Sequence, residues 1–273
     1  MRRLFITDLD HTFLRSDQSI SEFSRDTISE LTKNHLFTVA TARSFHKVGE
    51  FLGSLKPNAP MILLDGTMIA TNDKKIIDLK LISQEISDEI VSEAIKFGIY
   101  PFIIGLEDVG MEELFWYPTI LNVYQKEVLQ NYKNDPRLAL KEPMRAMKRV
   151  LKVVFFGTHE ILKPLTDHLK SIFGDALEYK LSPENYGGGW FLTLLHPHGD
   201  KSHAIITVAN YLGYEVGDIT VFGDSVNDIG MFELCGTSMA VSNALDGLKT
   251  HASEVLPHSN DEDAVAKYLT RFL

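Results

Sequence analysis

Leu4-Phe5-Ile6-Thr7-Asp8-Leu9-Asp10-His11-Thr12 and Ile219-Thr220-Val221-Phe222-Gly223-Asp224-Ser225-Val226-Asn227-Asp228 share one plan, a short apolar run that stops on a cluster of acidic residues. A run of this kind reads as a parallel strand buried on both faces and ending in a polar loop. Between them, residues 37–40 and 61–64 are two more apolar runs, ending at Thr41 and at Asp65-Gly66. A helix fits between the first and second runs, with Ser21 or Ser24 as its cap and Phe23, Ile28 and Leu31 on one face. Another follows through Phe45, Val48 and Leu52. This alternation predicts an α/β fold with a Rossmann-like, doubly wound parallel sheet, and open sheets of that type place ligands where their strands end.

After Gly66 the pattern changes. Residues 68–70 and 76–79 flank Asn72-Asp73-Lys74-Lys75, as the arms of a hairpin flank a polar turn. A new unit starts near Ile82, with helices predicted over 87–97, 120–132 and 160–173 and strands over 100–104, 149–156 and 177–181. Such a mixture suits an α+β insert. The core pattern resumes with a strand over 191–195, a helix over 201–212, the 219–222 strand and a last strand over 238–241. The expected organisation is a discontinuous core of residues 1–82 and 191–273 and an inserted cap of residues 83–190.

The 273 residues carry 27 Lys and Arg against 37 Asp and Glu, a net charge of −10. That balance works against holding a polyanion, so nucleic acid is an unsuited partner, and a small phosphate ester needs a locally gathered cation. Cys235 is the single cysteine, so no intrachain disulfide forms, which fits a cytoplasmic protein. No apolar stretch approaches the ~18 residues of a membrane span, and no membrane partner is expected. The composition does not fix the oligomeric state.

Asp8 and Asp10 lie two apart just past a strand, so on an extended backbone their side chains start on one face. One carboxylate can attack phosphorus while its neighbour protonates the leaving oxygen. Asp224, Asn227 and Asp228 crowd acidic and amide side chains into five residues, a costly pattern unless a cation or solvent accepts them, and magnesium prefers hard oxygen ligands. Thr41, Ala42 and Arg43 at a strand end, and Lys201 at a helix start, offer a hydroxyl, amides and positive charge for phosphoryl oxygens. Read singly, each has a plainer explanation: a capped turn, an acidic helix cap, a solvated lysine. His196, His198 and His203 read as a solvated loop rather than a zinc site. Gly187-Gly188-Gly189 reads as a turn, and Trp116, Tyr117, Trp190 and Phe191 as core aromatics.

Together, Asp8-Leu9-Asp10-His11-Thr12, Thr41-Ala42-Arg43, Asp65-Gly66, Lys201 and Gly223-Asp224-Ser225-Val226-Asn227-Asp228 resemble the haloacid dehalogenase-like superfamily, in particular its Cof-type phosphatases with a large C2-type (C2B) cap. The resemblance implies a magnesium-dependent phosphohydrolase of small phosphorylated metabolites, with Asp8 as nucleophile and metal ligand. It implies Asp10 as general acid and base that also gives its backbone carbonyl to Mg2+, and Asp224 as a further ligand. Thr41, Ala42, Lys201 and Asn227 would bind phosphate, with Thr12, Arg43, Asp65, Gly66 and Asp228 supporting the site. His11 and Ala42 stand where that family commonly has glycine, and Asp65 where it often has asparagine. A phosphosugar mutase of the same superfamily and a non-enzymatic phosphoryl-accepting signalling domain are the alternative readings.

Overall fold

The computed structural model describes residues 2–183 and 188–273 and divides into two compact units, residues 1–79 with 200–273, and residues 80–199. The chain enters the first unit through β1 (Leu4–Thr7), α1 (Glu22–Leu31), β2 (Leu36–Val39), α2 (Phe45–Leu52) and β3 (Met61–Leu63). Every residue of these three strands is buried, which is why they read as mainly apolar runs. Ser21 caps α1 by accepting a hydrogen bond from Ser24 N–H, and Ser44 caps α2 by accepting from Lys47 N–H.

β2 and β3 are joined only by a parallel bridge between Ala40 and Ile62, so the third strand is less a member of the parallel sheet than the alternation predicts. The reason is local: Leu64, Asp65 and Gly66 all take positive φ (50°, 69° and 120°), which reverses the chain into β4 (Met68–Ala70) and β5 (Ile76–Leu79). β3, β4 and β5 form a separate antiparallel sheet, and the hairpin expected across residues 68–79 is its second half.

The second unit runs through α3 (Gln84–Lys96), β6 (Phe102–Leu106), β7 (Glu113–Pro118), α4 (Val123–Asn131), β8 (Leu138–Lys141), β9 (Arg149–Gly157), α5 (His159–Phe173), β10 (Glu178–Pro183) and β11 (Trp190–Leu195). Its six-stranded sheet has the order β10-β11-β9-β6-β7-β8, antiparallel except for β7 with β8. Successive residues of β9 face opposite sides. Val153 and Phe155 pack with Ile90 and Val91 of α3 and with Leu162 and Leu165 of α5, while Val154 and Phe156 pack with Phe102, Phe115 and α4's Tyr124. Trp116 and Trp190 pack against the first cluster and Tyr117 and Phe191 against the second, all four partly buried at the margin of the core.

Two boundaries need correction. β11, expected in the core, pairs antiparallel with both β9 and β10, so the second unit extends from residue 80 to 199 rather than from 83 to 190. An apolar run reads the same in either sheet, and only its non-local partners decide. The glycine run falls in this stretch, with Gly187 outside the described residues.

Within α3, the Ser87 hydroxyl is fully buried and finds no hydrogen-bond partner among the described residues, a cost of about 1–3 kcal/mol for a hydroxyl. Ser87→Ala removes that penalty and improves helix propensity. Urea unfolding is expected to show a gain of about 1 kcal/mol; a loss would mean the hydroxyl has a partner.

The chain returns to the first unit with α6 (Lys201–Leu212), β12 (Ile219–Gly223), α7 (Ile229–Leu234), β13 (Thr237–Ala240), α8 (Asp246–Lys249), β14 (Glu254–Val255) and α9 (Ala264–Leu269). The parallel sheet has the order β14-β13-β12-β1-β2, which places β1 and β12 side by side with Thr7 opposite Phe222. The acidic loops that follow Thr7 and Gly223 therefore leave adjacent strands at the same end of the sheet. No helix among the described residues is long and apolar enough to cross a membrane.

Candidate active site

Asp8 follows β1 directly; its N–H donates to Phe222 O (2.9 Å), extending the strand pairing to the nucleophile candidate itself. Across the gap, Gly223 ends β12 and the chain turns so that Asp224 and Asp228 point back. Gly223 is required there, because a Cβ would lie 2.6 Å from Asp228 Oδ2. One carboxylate oxygen from each of Asp8, Asp224 and Asp228 lies within 4.8 Å of the others, and among the described residues this is the one acidic or histidine group that could hold a metal. The three histidines near Lys201 are not part of it.

Lys201, the first residue of α6, enters this cluster almost wholly buried, its Nζ donating to Asp8 Oδ1 (2.6 Å) and Asp228 Oδ1 (2.7 Å). Burial opposes the ammonium charge, but Asp228 and Asp8 outweigh it and hold the lysine above its ordinary pKa. α6 is placed by its cap, Asp200, whose Oδ1 accepts from Ser202 and His203 N–H. Gly66 lets the chain pass Asp200 closely, since a Cβ at Gly66 would fall 2.2 Å from Asp200 O. Asp228 Oδ2 accepts from the N–H groups of Asp224 and Ser225, and Thr12 Oγ1 donates to Asp224 Oδ1 (2.9 Å). Asp228 is thus an anchor for the loop and the lysine.

Asp10 is placed differently from the expectation of convergent side chains. Its carboxylate is forked by Arg43, with Nε to Oδ2 at 2.7 Å and Nη2 on Oδ1, and it is not in the three-carboxylate group. The guanidinium also lies over the Phe51 ring, 4.1 Å from its centroid, a contact the sequence reading missed because Phe51 there is only a residue of α2. Arg43 N–H donates to Thr41 Oγ1 (3.1 Å), and Asp65 N–H donates to Thr41 O (2.9 Å), which links the second and third strand ends to the Asp10 loop. Ala42 is exposed, and the Asn227 side chain accepts from Ser225 within its own loop.

Three carboxylates against one ammonium leave two negative charges when all are ionised. The donors are hard carboxylate oxygens, the kind a magnesium ion prefers, and a divalent cation balances the excess, so the residues fit Mg2+. Without that compensation, burial and then the Asp228 charge push the Asp224 pKa up to about 6, while Thr12 and Lys201 oppose. Burial likewise drives Asp8 well above the carboxylate range, against Lys201 and with the help of Asp228, Asp224 and Asp10.

A profile of haloacid dehalogenase-like hydrolases matches residues 5–269. The chain belongs to the haloacid dehalogenase-like hydrolase family. Among curated relatives of this family member, the 5-amino-6-(5-phospho-D-ribitylamino)uracil phosphatase YwtE of Bacillus subtilis (strain 168) is 29% identical, covering 97% of this chain and 96% of its own. The HMP-PP phosphatase of Enterobacter sp. (strain 638) is 24% identical, covering 100% and 96%. A crystal structure of a Thermotoga maritima protein shares the fold with a TM-score of 0.81 at 22% identity, covering 99% of this chain and 97% of that one.

The departures of this haloacid dehalogenase-like chain from the family pattern have a backbone explanation at two positions. His11 has φ 56° and Asp65 φ 69°, both left-handed. Histidine, aspartate and asparagine are the side chains most often found there apart from glycine, so both replacements keep the turn. Ala42 is exposed and needs no such conformation.

The raised Asp224 pKa has a testable sign. Its folded value of about 6 exceeds the ordinary 3.8, so its favourable contribution is complete below about pH 4 and is lost as the pH rises through 6. Asn mimics the protonated form. In chelator, Asp224→Asn is therefore expected to gain roughly 1–3 kcal/mol on wild type between pH 4 and 7.5. Saturating Mg2+ should reverse the order, because only wild type keeps the ligand. A difference that stays flat with pH in urea titrations would contradict the charge assignment.

Proposed function

We propose that the protein is a magnesium-dependent phosphatase of small phosphate monoesters that works through an aspartyl phosphate on Asp8. The observation that carries this reading is the buried Asp8 carboxylate, paired with Lys201 and grouped with Asp224 and Asp228 at the end of two adjacent parallel strands. Phosphatase activity follows from the family and from relatives that are themselves phosphatases.

Asp8 and Asp224 would hold Mg2+, with the Asp10 carbonyl as a third donor. The ion would supply a Lewis acid for the phosphoryl oxygens. An Asp8 oxygen attacks phosphorus, the bond from phosphorus to the ester oxygen breaks, and Asp10 gives its proton to the departing alkoxide. Asp10 then takes a proton from water, whose oxygen attacks the same phosphorus. The bond to Asp8 breaks and inorganic phosphate leaves. Lys201 offsets the charge that accumulates on Asp8 and the phosphoryl group, and Thr41, Ala42 and Asn227 would hold phosphoryl oxygens. Asp10 must release Arg43 with at least one oxygen to act, because the fork engages both.

The second unit would act as the cap that selects the leaving group. The two relatives differ in the substrates they are named for, so the substrate here is defined only as a small phosphorylated metabolite, a ribityl phosphate among the first to test. A panel of phosphorylated metabolites with Mg2+ is expected to release inorganic phosphate from some members, and excess chelator should abolish the release. Chelator-resistant release, or transfer back to substrate with no free phosphate, would contradict the reading.

A further inference from the structure

The segment after β13 carries no catalytic motif, yet it bonds to both acidic loops. Asn243 Nδ2 donates to the carbonyl of His11 (2.8 Å), the left-handed residue directly after Asp10. Its Oδ1 accepts from Asn260 N–H (2.9 Å), and Asn260, almost fully buried, donates from Nδ2 to Leu14 O (3.0 Å). Two residues on, Leu245 N–H donates to the Asp224 carbonyl (2.8 Å), and Val241 N–H to that of Gly223 (3.3 Å). The same five-residue stretch therefore grips the Asp10 loop by one side chain and the Asp224 loop by two backbone amides.

We propose that Asn243 is a positioning residue that aims Asp10 by holding the His11 carbonyl, within a bracket of residues 241–245 that fixes the spacing of the two loops. This rests on the phosphatase reading. The asymmetry of the bracket separates the loops experimentally. Backbone amides hold Asp224 whatever side chain stands at 243, whereas the bond from this stretch to the His11 carbonyl is lost when the amide donor goes. Supporting groups of this kind typically govern about 10–100-fold in activity, since an ångström of misplacement suffices.

Asn243→Asp is the sharpest variant: it keeps shape and the acceptor for Asn260 N–H but removes the donor to His11. An ester with an alkyl leaving group needs the Asp10 proton, whereas p-nitrophenyl phosphate does not. The expected result is a kcat/KM about 10–100-fold lower on the alkyl ester, a change below about 3-fold on p-nitrophenyl phosphate, and an unchanged Mg2+ requirement. Equal losses on both esters, or none on either, would overturn the proposal. Asn243→Ala serves as a second variant should the new carboxylate disturb folding. A crystal structure of either variant gives an activity-independent answer: Asp10 and His11 shifted with Asp8 and Asp224 in place supports the bracket, and an unmoved Asp10 loop refutes it. Wild-type protein without any Mg2+-dependent phosphate release would instead refute the phosphatase reading, leaving the crystallographic comparison to decide on Asn243.

Discussion

Asp8→Asn is expected to abolish turnover while leaving a folded protein. The variant keeps size and one hydrogen-bond acceptor, but an amide cannot form the acyl phosphate, and losing a covalent nucleophile costs on the order of 10⁴–10⁶-fold in kcat. Folding should be little affected, because the change removes a carboxylate whose ionisation is already opposed by burial and by Asp228, Asp224 and Asp10. Lys201 keeps Asp228 as its partner. Phosphate release assayed alongside the unfolding midpoint separates the two effects. Residual activity above about a thousandth of wild type, well outside that range, would point to another nucleophile.

Lys201→Met should damage both activity and stability. The lysine is about 1% exposed and is the cation that Asp8 and Asp228 share. Methionine fills similar volume but leaves a group of buried carboxylates facing one another, and removing one member of a buried pair commonly costs about 3–5 kcal/mol. Protonation of Asp8 and Asp224 can absorb part of that cost, so the loss should be larger at pH 8 than at pH 5. Mg2+ should restore some of the stability, since it brings positive charge to the same group, yet kcat should remain low because the phosphoryl charge is no longer offset. Unfolding titrations at both pH values, with and without Mg2+, test this. A variant as stable as wild type at pH 8 in chelator would show that the lysine does not hold the cluster together.

The parts of the fold that were legible share a physical feature. β1, β2 and β12 are buried on both faces, so their sequences are apolar but for buried threonines and end abruptly at carboxylates or threonine. β7 and β8 went unread; β7 is half buried and β8 has no buried residue. β11 was legible as a strand but not as a member of the second sheet, since partners such as Phe156 and Ser182 are not its neighbours in sequence. In the site, Asp8 and Asp224 stand out as carboxylates just past apolar runs, with Asp228 in the same loop as Asp224, whereas Lys201, a lone lysine among polar residues, gains weight only beside the other motifs. The Asp10 fork to Arg43 and Phe51 could not be read, because it depends on how α2 leaves its cap. Asn243 gave no signal, since one amide bonded to one carbonyl leaves no pattern in a chain.

The most direct test is to trap the covalent intermediate. Wild-type protein mixed with Mg2+ and a ³²P-labelled substrate, quenched in acid within one turnover and digested, should carry the label as an acyl phosphate on the peptide containing Asp8. Asp8→Asn should carry none. Label on any other residue, or full turnover with no acid-stable labelled protein at any time, would contradict the proposal that Asp8 takes the phosphoryl group.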